Sequence, residues 1–502
     1  MKLSLKHIKV IYIALFSILI LSLQIGIKWF ALNLDTTSYA HIANQVAQGN
    51  FHALLNLTWS PLPPLIASLF IKFGIHPIIA FHITNSFALI ALISLYAQAL
   101  TKDNLLSYIV LGFLTITIGP GFSDAIFLFF FIFIFKEFNQ AKTSKNHFIK
   151  LALLSIPFGF ARSMGFYVMI FALLLYIALY LYEKNFKIAR NYAGILLLNI
   201  IVISLWSMAI GKEHNIPPTL NKTGAFNLTL LPDRVNNTIP TNMDDKAKIT
   251  IDNFHSYIHY NPKQQFIPNN RNTHQWRWLD IASFTGTPEI PKYPATWNAA
   301  SIQFMIKYYF SNVYVFIKDY TFTCFIFFLL FFSNLKNFRV LIPLTVLLFY
   351  INLFFITHLE ERYILPCIIL LVTLVIENKN NIVFKFLKNT QIPLIILLSL
   401  STHTLRNLLH ASSASRTIFQ PTPGFYTQKI DKPMSFIAFS NVETATLVIQ
   451  NPNLIFKGYL YPNEIHTVTD TTLYLMEAQG EKAVFIPVKE YQKTHPQKQS
   501  NP

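Results

Sequence analysis

A chain of 502 residues that is 53% hydrophobic and 13% charged, with mean hydropathy +0.41 and 47 phenylalanines, carries more apolar surface than a soluble domain can hide. Its formal charge of +17 is not a nucleic-acid signature, because much of the excess sits in short loops between apolar runs. Composition therefore points to a polytopic membrane protein, and the two cysteines, Cys324 and Cys367, fall in apolar stretches that suit packing better than a disulfide or a metal site.

In chain order, the basic start "MKLSLKHIKV" leads into a long apolar run without a small-residue cleavage site, which predicts a retained first span. Apolar runs recur near 10–31, 77–100, 104–118, 121–135, 148–162, 165–182, 191–210, 318–333, 340–357, 363–376 and 391–402. These make about eleven candidate spans, several of them shorter than the ~20 residues a straight span needs. With the N-terminus in the cytoplasm, sixteen Lys and Arg, from Lys2 to Lys388, fall in the cytoplasmic loops, and one, Arg362, falls in the opposite short connections. The same asymmetry divides 148–182 into two spans, since a single span would put the basic "EKNFKIAR" loop outside.

Three larger segments then lie on the non-cytoplasmic side. Residues 32–76 form a first loop of two short helices, and residues 211–317 a long loop rich in Pro, Asn and Thr. The tail, 403–502, alternates short apolar strands with helix-like runs ("FIAFSN", "ETATLVIQN", "LIFKGYL", "TTLYLMEAQ", "AVFIPV"), which predicts a small α/β domain. The expected architecture is an all-α polytopic membrane module over 1–402, with external loops, followed by this C-terminal domain. The sequence has no internal repeat.

Among ionisable residues in the apolar runs, Asp124 in "GPGFSDAIF" and Arg162 in "GFARSMGF" stand out. The topology puts both at the outer ends of their helices, level with Asp35 and with the cluster His358, Glu360, Glu361, Arg362 and Tyr363. Charge inside a span costs about 2.5–3.5 kcal/mol on insertion scales, so such residues face a cavity or one another. A purely structural Asp124–Arg162 pair is the main non-catalytic alternative.

In the first loop, Asp35, Tyr39 and Ala43 are spaced by four and share a helix face, and Gly49 is a helix stop. Asp35 sits about where an N-cap belongs, so a capping role stands beside a catalytic one. Trp59 reads as an interfacial anchor; Pro61, Pro63 and Pro64 break one helix and start another. The apolar segment 65–73 is too short to span and suits the interface, with Lys72 near headgroups.

The pattern Asp35, Tyr39, Ala43, Gly49 followed by "WSPLPPL" resembles the first external loop of GT-C fold glycosyltransferases, in particular the family-39-like branch of protein mannosyltransferases and aminoarabinose and other lipid A sugar transferases. "SDAIF" is similar to that family's second acidic position, "RSMG" to a recurrent arginine turn, and "EERYILP" to a late arginine–tyrosine–proline signature. The likeness covers roughly residues 10–375 and leaves the tail unmatched. One departure is Thr36, where many relatives carry a second acid; it leaves Asp35 as the only obvious base in the loop and weakens any claim of a metal there.

The resemblance implies a glycosyltransferase of a bacterial inner membrane with a periplasmic C-terminal domain. The donor would be a polyprenyl-phosphate-linked sugar and the acceptor a lipid, glycan or protein. Asp35 would act as general base, and Arg162 and Arg362 would bind the lipid phosphate, with Lys72 a weaker third. Asp124 is left open between binding a sugar hydroxyl, orienting an arginine and holding a divalent cation; no cofactor is required otherwise. Tyr39, Trp59, Glu361 and Tyr363 complete the expected substrate-binding set, while Trp276, Trp278 and Trp297 suit sugar stacking or a loop core equally. An O-antigen ligase or polymerase and a lipid or sugar transporter are the alternative classes.

Overall fold

The computed structural model describes residues 4–22, 34–55, 59–101, 104–116, 124–139, 145–214, 299–335, 337–357 and 361–377. In the C-terminal part it describes 428–438, 453–459, 468–479 and 482–495, plus a few single positions. The run expected at 391–402, most of the long loop and residues His358, Glu360, Trp276, Trp278 and Trp297 lie outside the described residues.

The described chain is mostly helical. Helix α1 (Leu5–Leu21) begins at Ser4, whose hydroxyl accepts from the His7 N–H. The first loop forms α2 (Leu34–Ala47) and α3 (Leu62–Lys72), joined in part by one 3-10 turn over Phe51–Leu54. Gly49 ends α2 as expected: its φ is +96°, and Asn50 N–H reaches back to the Gln45 carbonyl at 3.0 Å. Pro63 and Pro64 sit at the start of α3, where a missing N–H costs no helical bond.

Then follow α4 (Pro77–Ala99), α5 (Leu105–Ile116), α6 (Asp124–Asn139), α7 (Lys145–Ala161), α8 (Ser163–Tyr182) and α9 (Phe186–His214). Residues 148–182 are two helices, as the basic loop required. Further along come α10 (Ala299–Asp319), α11 (Thr321–Ser333), α12 (Phe338–Thr357) and α13 (Glu361–Glu377).

Among the described residues, three helices are long and apolar enough to cross a membrane: Pro77–Ala99, Ser163–Tyr182 and Phe186–Glu213. Several others are apolar but short, such as α5, whose 12 residues give ~18 Å against a hydrocarbon core of ~30 Å. The segment before 318, read from sequence as loop, instead holds α10, and the chain bends by 95° between it and α11. Tyr309, Asn312 and Phe316 of α10 lie against Asn352 and Phe355 of α12, which is why this tyrosine- and lysine-bearing stretch folds as a helix.

Helix α6 is the hub of the bundle. Phe127, Phe131, Phe135 and Phe138 are all buried; Phe127 and Phe131 stack on Phe158, Phe127 also on Tyr350, and Phe138 on Tyr176. α6 lies against α4, α7 and α13. The helix ends sort into two levels. At one end, Lys9 Nζ donates to the Gln98 carbonyl at 2.9 Å, and Lys150 Nζ to Glu137 Oε1 at 2.9 Å. At the other lie the N-terminal ends of α4, α6 and α8 and the C-terminal ends of α7 and α9.

In the tail, β1 (Met434–Ala438), β2 (Leu454–Tyr459), β3 (Tyr474–Gln479) and β4 (Lys482–Pro487) form a sheet in the order β2-β1-β3-β4. β1 pairs parallel with β2 and β3, and β3 pairs antiparallel with β4. A short helix, α14 (Val488–Thr494), covers Ile437, Leu473 and Leu475 through Val488. The outward peptide groups of edge strand β4 at Ala483 are met by the Gln428 amide, at 2.7 and 2.8 Å.

Candidate functional site

Arg162 owes its place to two close glycine contacts. It is the extended residue (φ −158°, ψ 133°) between α7 and α8, where the chain reverses. A Cβ on Gly159 would sit 2.3 Å from the Phe166 ring, and one on Gly165 would sit 2.4 Å from the Phe158 carbonyl oxygen. Only glycine lets the two helices approach so closely, and the Gly165 N–H closes the turn on the Arg162 carbonyl at 2.7 Å.

Arg162 Nη1 donates to Asp124 Oδ1. Asp124 opens α6 and its side chain is 3% exposed; that of Arg162 is 17% exposed. The negative carboxylate also lies in the first turn of its helix, where the exposed N–H groups favour it. The two charged residues that stand out in the apolar runs are thus brought together as a buried pair.

The first-loop helices stand at the same end. α2 lies against α3 and α4, and α3 lies against α7, the helix that ends at Arg162. His52, in the turn after α2, donates through Nδ1 to Glu213 Oε2 at 2.9 Å, tying the loop to the end of α9. Asp35 is the second residue of α2, one position inside the helix rather than at an N-cap; its side chain lies outside the described set.

Tyr39 and Ala43 face inward from α2, 4% and 0% exposed. The Tyr39 ring stacks on Phe81 at 5.1 Å and meets Trp59 edge-on at 5.2 Å. Both expected substrate contacts in the loop are therefore held in its aromatic core. Lys72 is exposed in the last turn of α3, beside Leu69 and Phe73, which are 54% and 85% exposed. Glu361, Arg362 and Tyr363 open α13, with their side chains outside the described set.

Sequence reasoning missed three features. Glu213 was not connected with His52. At the opposite end, Glu137 is 4% exposed and takes His147 Nδ1 at 3.4 Å as well as Lys150. His82 and Asn85, deep in α4, were passed over because neither is charged in an apolar run. Among the described residues, no group of three or more His, Cys, Asp or Glu converges as a metal site.

Several of these apolar helices are of the kind that crosses a membrane, consistent with a membrane protein. No family model matches the chain, and no curated protein matches it as a relative.

Proposed function

We propose that this protein is an integral-membrane glycosyltransferase that moves a sugar from a polyprenyl phosphate to a lipid, glycan or protein acceptor. On this reading it has about eleven spans, a cytoplasmic N-terminus and a periplasmic C-terminal part in a bacterial inner membrane, with the site on the outer face. The observation that carries it is the buried Asp124–Arg162 pair at the end of the bundle where the Asp35 helix docks.

In the transfer step, the acceptor hydroxyl oxygen attacks the anomeric carbon as Asp35 takes the hydroxyl proton. The bond between that carbon and the phosphate oxygen breaks, and its electron pair leaves with the lipid phosphate. The products are the glycosylated acceptor and the polyprenyl phosphate. Arg162 meets the negative charge that grows on the leaving phosphate, whose oxygens suit the planar donor fork of a guanidinium. α3, with Leu69, Phe73 and Lys72 exposed, suits a helix lying in the lipid headgroup layer where the donor arrives.

The test is a deletion strain complemented with wild type or Asp35→Asn at equal membrane expression, with envelope glycolipids and glycoproteins compared by mass spectrometry. One sugar mass should vanish in the deletion, return with wild type and fall by about 10²–10⁴-fold in rate with Asp35→Asn. Full restoration by Asp35→Asn makes Asp35 a helix-start charge and removes the mechanism. An unchanged glycan profile in the deletion favours a transporter.

A further inference from the structure

One side of α4 carries two polar side chains that no described residue satisfies. His82 is 2% exposed and Asn85 is 1% exposed. Both ring nitrogens of His82, and both Oδ1 and Nδ2 of Asn85, lack a hydrogen-bond partner among the described residues. The other buried polar residues of this turn behave differently: Thr84 and Ser86 each donate to the carbonyl four residues earlier, at 2.8 and 2.9 Å. His82 and Asn85 make no such bond within their own helix, so their partners must come from elsewhere.

Helical spacing says where that side faces. His82, Asn85, Leu89, Leu92 and Tyr96 follow one another at steps of three and four; the last three belong to the main core, and Tyr96 meets Thr115 and Tyr108 of α5 and shares a cavity with Ile132 and Phe135 of α6. The level follows from the far ends of the two helices, which run the same way. Leu95 and Ala99 of α4 line a cavity together with Ile132 and Lys136 of α6. Counting back eight residues along each helix sets Asp124 level with Phe87, so Asn85 lies ~3 Å along the axis from that level. His82 lies about one turn beyond Asn85.

We propose that His82 and Asn85 form the sugar subsite of the donor, hydrogen-bonding ring hydroxyls while Arg162 takes the adjoining phosphate. This rests on the glycosyl-transfer reading above. The chemistry selects the ligand class. A neutral imidazole offers one donor and one acceptor, and a carboxamide offers two donors and an acceptor oxygen. That mixture matches hydroxyls, each of which both donates and accepts. It suits a phosphate poorly, since phosphate only accepts, and it suits a hard divalent cation poorly, since it lacks a carboxylate. Both side chains are closed to solvent, so a sugar reaches them as neighbouring side chains part.

The experiment uses the full chain in lipid nanodiscs and two kinds of probe: farnesyl phosphate, and farnesyl phosphate carrying a hexose, an N-acetylhexosamine or a pentose. The wild type should bind at least one sugar-bearing probe about tenfold or more tighter than bare farnesyl phosphate. His82→Leu and Asn85→Leu should bring the two affinities together, with the farnesyl phosphate affinity unchanged, which also certifies that the variants fold. His82→Gln, which keeps a neutral donor and acceptor, should retain part of the preference. A preference that survives in both leucine variants overturns the subsite and leaves the spot to an ordered water. A wild type that binds farnesyl phosphate without preferring any sugar overturns the subsite alone. A wild type that binds neither kind of probe overturns the glycosyl-transfer reading, and the subsite falls with it.

Discussion

Asp124→Asn keeps the shape of the side chain and removes the charge facing Arg162. The Asp124 side chain is 3% exposed and that of Arg162 17%, so the variant takes a negative charge away from a guanidinium that water scarcely reaches. Removing one partner of a buried ion pair costs about 3–5 kcal/mol, mostly through the charge left behind. Arg162→Leu should cost a similar amount for the mirrored reason. The double variant Asp124→Leu with Arg162→Leu removes both charges of the pair together, and similar-sized apolar replacements of buried pairs are often neutral. It should therefore regain most of the loss. The assay is unfolding of the purified protein in mixed dodecylmaltoside and dodecylsulfate micelles, alongside the sugar-transfer phenotype. Stability recovered without transfer assigns the pair a part in the reaction. Stability and transfer recovered together make it structural. An Asp124→Asn variant within about 1 kcal/mol of wild type refutes the argument from burial.

Gly165→Ala should be worse than Gly159→Ala, because its new Cβ meets a backbone oxygen at 2.4 Å rather than an aromatic ring at 2.3 Å. Overpacking costs about 1–3 kcal/mol, and both variants should melt earlier and displace Arg162. His76 caps α4 by accepting the Ile78 N–H on Nδ1 at 3.3 Å, and burial pushes its pKa down to about 4. The folded state thus disfavours the protonated ring, so stability present above the usual histidine value of ~6.5 should be lost as pH falls towards 4. The largest loss is about 3 kcal/mol, read as a falling melting temperature between pH 7 and 4.5 that His76→Asn flattens. Alkaline phosphatase fused after residue 502 should be active, and fused within 379–388 inactive, if the basic loops face the cytoplasm; the reverse pattern refutes the topology.

Much of the bundle was legible because local rules and the fold agree. The basic stretch "EKNFKIAR" required 148–182 to be two helices, as α7 and α8 are, and Gly49 ends α2 because few other residues accept a φ of +96°. Three strands of the tail coincide with its short apolar runs, "LIFKGYL", "TTLYLMEAQ" and "AVFIPV". Helix α10 was illegible to a hydropathy window because Lys307, Asn312 and Lys318 dilute it. Its signal was the spacing of Tyr309, Asn312 and Phe316, which only α12 explains. At the candidate site, sequence put Asp124 and Arg162 at one level, but their contact depends on how α6, α7 and α8 pack. His82 and Asn85 are harder still, since the lack of a partner is a property of the neighbours and not of the residue.

The structural and catalytic readings of Asp124 and Arg162 need not compete. An arginine awaiting a phosphate in an apolar site is costly while the site is empty, and a carboxylate beside it offsets that cost. On the proposed transfer, the charge of the lipid phosphate rises as it departs from the sugar, and so does its pull on the guanidinium. An interaction that strengthens along the reaction lowers the barrier, whereas one of constant strength only holds the substrate. Asp124 would then set the balance, shielding Arg162 before transfer and yielding part of it as charge develops. On this account Asp124→Asn should depress the maximal rate more than it weakens donor binding, while Arg162→Leu should depress both. A variant that loses binding and rate in equal measure at Asp124 argues that the carboxylate only keeps the arginine in place.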